Sequence, residues 1–211
     1  MPVVMVKITQ VFIDFPTVPC RLAQACDVDV WLVTLESDRE IVLSPDEELR
    51  ASRFRFEQDR ARWTRAHSAL RLILAGCTGI PAAEIRFAVG EHGKPKMLDG
   101  GDLEFNLSHS GSWAMVAVTR GVPVGVDIER IREGVDMKAM LRRLGETNLP
   151  DTQTALFSVW TRREAVSKAI GGALFRPPDG DFSVVDLEAP EGYSASLAVI
   201  GGYPRYLYKH F

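Results

Sequence analysis

Two short stretches of this chain carry side chains able to handle a metal and a phosphate. The first is Gly125-Val126-Asp127-Ile128-Glu129. On a strand, side chains alternate faces, so Val124, Val126 and Ile128 point one way while Asp127 and Glu129 share the other. Two carboxylates on one face repel each other unless a cation sits between them. A hard divalent ion such as Mg²⁺ suits that place, because it prefers oxygen ligands and brings phosphates with it. The plain alternative is a strand running out into solvent, and a short acidic motif alone does not decide between them. The second stretch is Trp160 to Lys168 (WTRREAVSK). Trp160, Glu164 and Lys168 lie four apart and line one helix face. Glu164 could add a third oxygen to a metal and act as a base, with Lys168 one turn on to meet a phosphate or a leaving oxygen. An ordinary surface ion pair, contributing about 0.3–0.5 kcal/mol, is the competing reading.

Three further segments could meet an anion. Phe105 to Gly111 (FNLSHSG) reads as a strand that ends in a polar loop over Ser108 to Ser112. Free amides, the Ser108 hydroxyl and a His109 imidazolium would together cradle a phosphate; a polar hairpin loop is the simpler view. No GxSxG elbow occurs in the chain, which removes the usual serine-hydrolase pattern. Lys94, beside the Gly93 turn, offers a point charge for a phosphate, although many such lysines only decorate a turn. Arg50, Arg53, Arg55, Arg60, Arg62, Arg65 and Arg71 form a basic stripe countered only by Glu57 and Asp59. Such a stripe in a mildly acidic protein fits a small anionic ligand, or else a solvated helix face.

The elements that must position these residues follow from patterning. Val28 to Leu35 is a buried strand. Ser44 caps a helix opening on Pro45, whose pattern runs to Gly76–Gly79 with a break near Phe54 to Asp59. Strands are expected over Ile85–Val89, Leu103–Leu107, Trp113–Thr119 and Val122–Ile128, with a turn at Glu91-His92-Gly93. A short helix over Met137–Leu144 and a long one over Phe157–Ile170, stopped by Gly171-Gly172, come next. Phe182–Leu187 and Tyr193–Ile200 are the final expected strands. The N-terminal Met1–Pro16 reads as a strand or two. The sequence of strand, long helix and strands appears twice, which predicts an α+β fold of two halves meeting near residue 120.

With 211 residues the chain can bury a sizeable core. Its formal net charge of -3 gives no reason to expect a nucleic-acid or membrane partner. Cys20, Cys26 and Cys77 are odd in number and form no CxxC pair, which argues against a disulfide framework or zinc site. A cytoplasmic protein, without signal peptide or bilayer-spanning stretch, is the expectation.

Taken in order, GKP at 93–95, NLSHS at 106–110, GVDIE at 125–129 and WTRREAVSK at 160–168 resemble the 4'-phosphopantetheinyl transferases of the larger, surfactin-synthetase-activating type. The resemblance spans about residues 44 to 200. It implies two similar α/β halves related by pseudo-two-fold symmetry, 1–120 with coenzyme A-binding elements and 121–211 with the metal strand and catalytic helix. The active site would lie in the cleft between them. By similarity, Asp127, Glu129 and Glu164 bind Mg²⁺, Glu164 takes the proton of a carrier serine, and Lys168 steadies the leaving 3',5'-ADP. Ser108, His109, Lys94 and Arg50 would contact coenzyme A, with Arg53 and Arg62 as further cations. The implied partner is an apo acyl or peptidyl carrier protein, met by a monomer through Arg132, Met137, Met140, Arg142 and Arg143. Three departures stand out: Arg163 before Glu164 where lysine is commoner, no aromatic-x-x-x-acid helix over Gly134–Thr154 (with Glu146 standing in for the acid), and a short tail. Two rivals remain: a non-catalytic binder of coenzyme A, and a Mg²⁺-dependent phosphodiesterase or nuclease. The intact Asp127, Glu129, Glu164 and Lys168 weigh against the first. The lack of interleaved basic and aromatic residues weighs against a nucleic-acid substrate.

Overall fold

The computed structural model describes residues 8–10, 27–90, 93–172, 182–201 and 205–210. Most of the N-terminal strand reading, Cys20, Cys26 and the Glu91-His92 part of the expected turn lie outside the described residues. Strand β1 (Ile8–Gln10) is followed by β2 (Asp27–Thr34), and the β-branched and aromatic run DVDVWLVT favours that extended, buried conformation. Helix α1 (Pro45–Ala51) opens with a full capping box: the Ser44 hydroxyl accepts from the Glu47 amide, and Glu47 accepts from the Ser44 amide. After a break, α2 (Glu57–Thr78) begins with acids in its first turn and stops at Gly79, whose φ of 77° is the left-handed end a helix favours. A 3₁₀ turn (Ala82–Glu84) leads to β3 (Phe87–Val89) and β4 (Pro95–Met97), which pair as a hairpin. Ile85, expected to open a strand, instead sits in the core just before β3.

The central strands are β5 (Leu103–Ser110), β6 (Trp113–Arg120) and β7 (Val124–Arg130). Helices α3 (Met137–Arg143) and α4 (Gln153–Ile170) follow, then β8 (Phe182–Asp186), β9 (Tyr193–Ile200) and β10 (Arg205–His210). The sequence reading ended its strands at Ile200, so β10 is an addition. One sheet has the order β1-β10-β2-β6-β5 and another β7-β9-β8. The last strand therefore returns to the first sheet, parallel to both β1 and β2.

Packing follows from alternation. Trp31 and Val33 of β2 and Ala114, Val116 and Val118 of β6 face α2, where Ala66, Leu70, Ile73 and Leu74 meet them. Each fully buried Leu or Ile there contributes about 1.5–3 kcal/mol. The opposite faces of β2 and β6 bury Val28, Val30, Leu32, Met115 and Ala117 against Val124, Val126, Ile128 and Leu197 of the second sheet. Helix α4 covers the outer face of that second sheet through Ala165 and Ala169 against Ala198. The expected α+β character is present, and each of the two larger sheets is backed by one long helix.

The Ser108–Ser112 segment corrects the sequence reading. Strand β5 continues through Ser108, His109 and Ser110, paired with Met115, Ala114 and Trp113, so only the Gly111-Ser112 tip is a turn. The amides expected to cradle a phosphate thus belong to a strand. Met137, expected on a docking surface, is 3% exposed and packs with Leu141, Leu156 and Phe157 in a small core of its own.

Candidate functional site

A cavity of about 570 Å³ brings together residues from both sheets and both long helices. Its walls are Arg50 after the first helix turn, Trp63, His67 and Leu70 of α2, Gly93 and Pro95 of the hairpin, and Phe105 to His109 of β5. Asp127 and Glu129 of β7 and Glu164 and Lys168 of α4 complete it.

Helix α4 can bring Glu164 and Lys168 to β7 because residue 125 is glycine. A Cβ there would stand 2.0 Å from the Ala165 carbonyl oxygen and 2.4 Å from the Ala169 nitrogen. The helix thus lies on bare strand backbone, two residues before Asp127, the first of the two acids. The Thr152 hydroxyl caps its start through the Ala155 amide, and Gly171 ends it with φ 65°.

Asp127 is the centre of the polar wall and is 2% exposed. Its Oδ1 accepts from Lys168 Nζ at 2.5 Å and from Ser108 Oγ at 2.8 Å. Its Oδ2 is buried without a partner among the described residues. Glu129 Oε2 accepts from Ser110 Oγ at 2.7 Å. Burial pushes the Glu129 carboxyl above the usual carboxylate range; the Ser110 hydrogen bond opposes this and the Asp127 charge reinforces it. Glu164 is raised as well, by burial first and then by Asp127, with Lys168 pulling the other way. His109 is held below its ordinary value by burial and then by the nearby His67, Lys168 and Arg62. This setting thus disfavours the imidazolium expected there.

Among the described residues, no three His, Cys, Asp or Glu side chains converge as a ready metal cage. Asp127 instead pairs with the Lys168 ammonium, and Glu129 accepts from Ser110. The donor chemistry nevertheless suits a hard divalent cation. It supplies hard oxygens only, one of them buried and unpartnered, beside two acids raised by burial and mutual repulsion.

The remaining expected residues scatter. Arg50 lines the cavity and lies 5.5 Å over the Trp63 ring, Arg62 is half-buried near His109, and Arg53 is exposed away from the lining. Lys94 turns aside: its side chain is 9% exposed, and its ammonium donates to Glu104, to the Val124 carbonyl at 3.0 Å and to the Ala169 carbonyl at 3.1 Å. Those three bonds use all its donors and tie the hairpin to β5, β7 and the end of α4. Glu146, the stand-in acid, pairs with Arg163 and does not line the cavity. Arg71 of the basic stripe is structural; it is 1% exposed and donates to Glu47 at 2.5 Å and to the Ala82 and Ile85 carbonyls.

Sequence reasoning missed Trp63 and His67. His67 stacks on Trp63 with ring centroids 3.9 Å apart, and its Nδ1 stands 3.6 Å from Glu47. The signal was available, since Trp63, His67 and Arg71 recur every four residues on one face of α2.

Residues 35–121 match a family model described as 4'-phosphopantetheinyl transferase, N-terminal, and residues 123–202 match that of the 4'-phosphopantetheinyl transferase superfamily. Over 180 residues the chain is 31% identical to the 4'-phosphopantetheinyl transferase HetI of Nostoc sp., covering 77% of this chain and 76% of that one. It is 33% identical over 173 residues to a Bacillus subtilis 4'-phosphopantetheinyl transferase, covering 75% and 76%. To the Bacillus subtilis transferase Sfp it is 29% identical over 167 residues, covering 72% and 73%. Among the described residues no helix is long and apolar enough to cross a membrane.

Proposed function

Because this chain belongs to the 4'-phosphopantetheinyl transferase superfamily, we propose that it moves the phosphopantetheine arm of coenzyme A onto a serine of an apo acyl or peptidyl carrier protein, with Mg²⁺ as cofactor. The observation that carries this reading is the cluster of Asp127, Glu129, Glu164 and Lys168 on one cavity wall, with Asp127 Oδ2 buried and unpartnered.

Asp127, Glu129 and Glu164 are the residues that would hold Mg²⁺. When bound, the ion supplies positive charge against the pyrophosphate of coenzyme A. Glu164 serves as base: burial and the neighbouring carboxylates raise its proton affinity, which suits removal of a proton from a serine hydroxyl, directly or through one water. The serine oxygen attacks the β-phosphorus, the bond from that phosphorus to the bridging oxygen breaks, and 3',5'-ADP departs with the electron pair. Lys168 meets the charge growing on that leaving group, the usual basis of phosphoryl-type transfer. Arg50 on the cavity lining, and Arg62 near His109, provide cationic charge for the nucleotide, and His109 becomes more basic once a phosphate dianion adjoins it. Ser108 and Lys94 bear on coenzyme A through the carboxylate wall and the hairpin they brace.

The same reading takes residues 1–120 and 121–211 as two similar halves about a pseudo-two-fold axis, with the site between them. Support comes from the repeated unit of three antiparallel strands and one long helix: β2, β6, β5 with α2, and β7, β9, β8 with α4. The protein acts as a cytoplasmic monomer.

Nucleotide release tests the proposal. A transferase liberates 3',5'-ADP from coenzyme A only when carrier is present. Release with water alone would point to a phosphodiesterase, and no release in either case to a binder.

A further inference from the structure

Strands β5 and β7 belong to different sheets and share no backbone ladder. Even so, the β7 amides that face β5 have acceptors. Asn106 Oδ1 accepts from the Val126 amide at 2.9 Å, Ser108 Oγ from the Ile128 amide at 3.3 Å, and Ser110 Oγ from the Arg130 amide at 3.1 Å. Donors and acceptors advance together by two residues, so the two strands run in constant parallel register. Side chains of one strand take the part that carbonyls of a neighbouring strand would play.

Hydroxyl valence settles where the serine protons go. A hydroxyl has one hydrogen to donate and two lone pairs to accept with. Ser108 accepts from the Ile128 amide and from Lys168 Nζ at 2.9 Å, which sends its proton to Asp127 Oδ1. Ser110 accepts from the Arg130 amide and sends its proton to Glu129 Oε2. Each hydroxyl therefore sets both the place of β7 and the aim of the carboxylate beside it.

We propose that Asn106, Ser108 and Ser110 form a side-chain ladder of positioning residues that registers β7 and presets Asp127 and Glu129 for a divalent cation, with Ser110 acting through Glu129. This inference rests on the metal reading given above. The period of two is essential to it. A slip of one residue would bring Leu107 and His109 against the β7 amides, and Leu107 offers no acceptor. The three ladder bonds also differ in setting. The Asn106 bond is part-buried, whereas the Ser110 bond to the Arg130 amide is exposed, where water can replace it.

That difference makes the test. Binding of Mn²⁺ to the full chain in the presence of coenzyme A is measured by the electron paramagnetic resonance of free Mn²⁺, together with thermal unfolding, for wild type, Ser110→Ala, Ser110→Thr and Asn106→Ala. Loss of a residue that orients a metal ligand costs roughly 10- to 100-fold in metal affinity. Ser110→Ala should weaken Mn²⁺ by that factor with little change in melting temperature, and Ser110→Thr should recover most of the affinity. Asn106→Ala should show the reverse balance, a lower melting temperature with a smaller change in Mn²⁺ affinity. Wild-type affinity in Ser110→Ala, or no recovery in Ser110→Thr, would overturn the ladder's role while leaving the metal reading intact. If wild type itself binds no Mn²⁺ with coenzyme A present, the metal reading falls and the inference with it.

Discussion

Replacing Gly125 by alanine probes how closely α4 must lie on β7. The added Cβ would stand 2.0 Å from the Ala165 carbonyl oxygen, 2.4 Å from the Ala169 nitrogen and 3.0 Å from its Cα. All three are backbone atoms, so no side chain can rotate away; the helix must retreat by more than an ångström to restore ordinary contact. Overpacking of this kind costs about 1–3 kcal/mol. For a chain of this size that lowers Tm by roughly 2–12 °C. The same retreat carries Glu164 and Lys168 away from Asp127 and Glu129, and a misplacement near 1 Å can cost about 100-fold in rate. Gly79→Ala is the control. It removes a glycine of φ 77° with open space around it, costing about 1–2 kcal/mol for the left-handed backbone alone and sparing the site. Scanning calorimetry and a carrier-modification assay on both variants decide the matter. Wild-type kcat/KM in Gly125→Ala, or a loss of kcat/KM no larger than in Gly79→Ala, would refute the proposed role of that contact.

Three other perturbations follow from the same geometry. Burial alone would raise the Glu47 carboxyl, but the adjacent His67, 3.6 Å away, hydrogen bonds from the Ser44 amide and Arg71, and the Arg71 charge outweigh it and hold it at about 2. A depressed acid contributes stability above its unfolded pKa and loses it as pH falls toward the folded one. Glu47→Gln should thus cost up to about 3 kcal/mol at pH 7. Its Tm gap from wild type should close between about pH 4.5 and 2; a gap independent of pH would contradict this. Lys94→Met removes the clamp between hairpin, β5, β7 and α4, so Tm should fall; unchanged Tm with weakened coenzyme A binding would make Lys94 a ligand contact instead. Arg142 and Arg143 are exposed at the end of α3 beside the half-exposed Met140. Reversing both arginines to glutamate should raise KM for an acidic carrier while coenzyme A binding holds, by charge complementarity; an unaltered carrier KM would remove that surface from the account.

Much of this was legible in the residues alone. The alternation in Val124–Glu129 correctly separated core valines from the two acids, because a strand's period of two admits no other sharing of faces. The four-residue spacing of Glu164 and Lys168 likewise placed both on the cavity. Ser108–Ser110 was misread as a loop for a physical reason. Small hydroxyl residues ordinarily satisfy turn backbone, whereas here they satisfy the backbone of a strand far away in sequence, a partner that local patterning cannot show. Lys94 looked like a free cation because its three acceptors come from β5, β7 and α4. His109 looked cationic because its burial beside Lys168 and Arg62 exists only after folding.

The most direct test of the central claim is the intact mass of an apo carrier protein after incubation with this chain, coenzyme A and Mg²⁺, beside Glu164→Ala. The account predicts a phosphopantetheine-sized gain that disappears in the variant and in EDTA. No gain across several carriers, despite measurable coenzyme A binding, would contradict it and make the chain a binder without turnover.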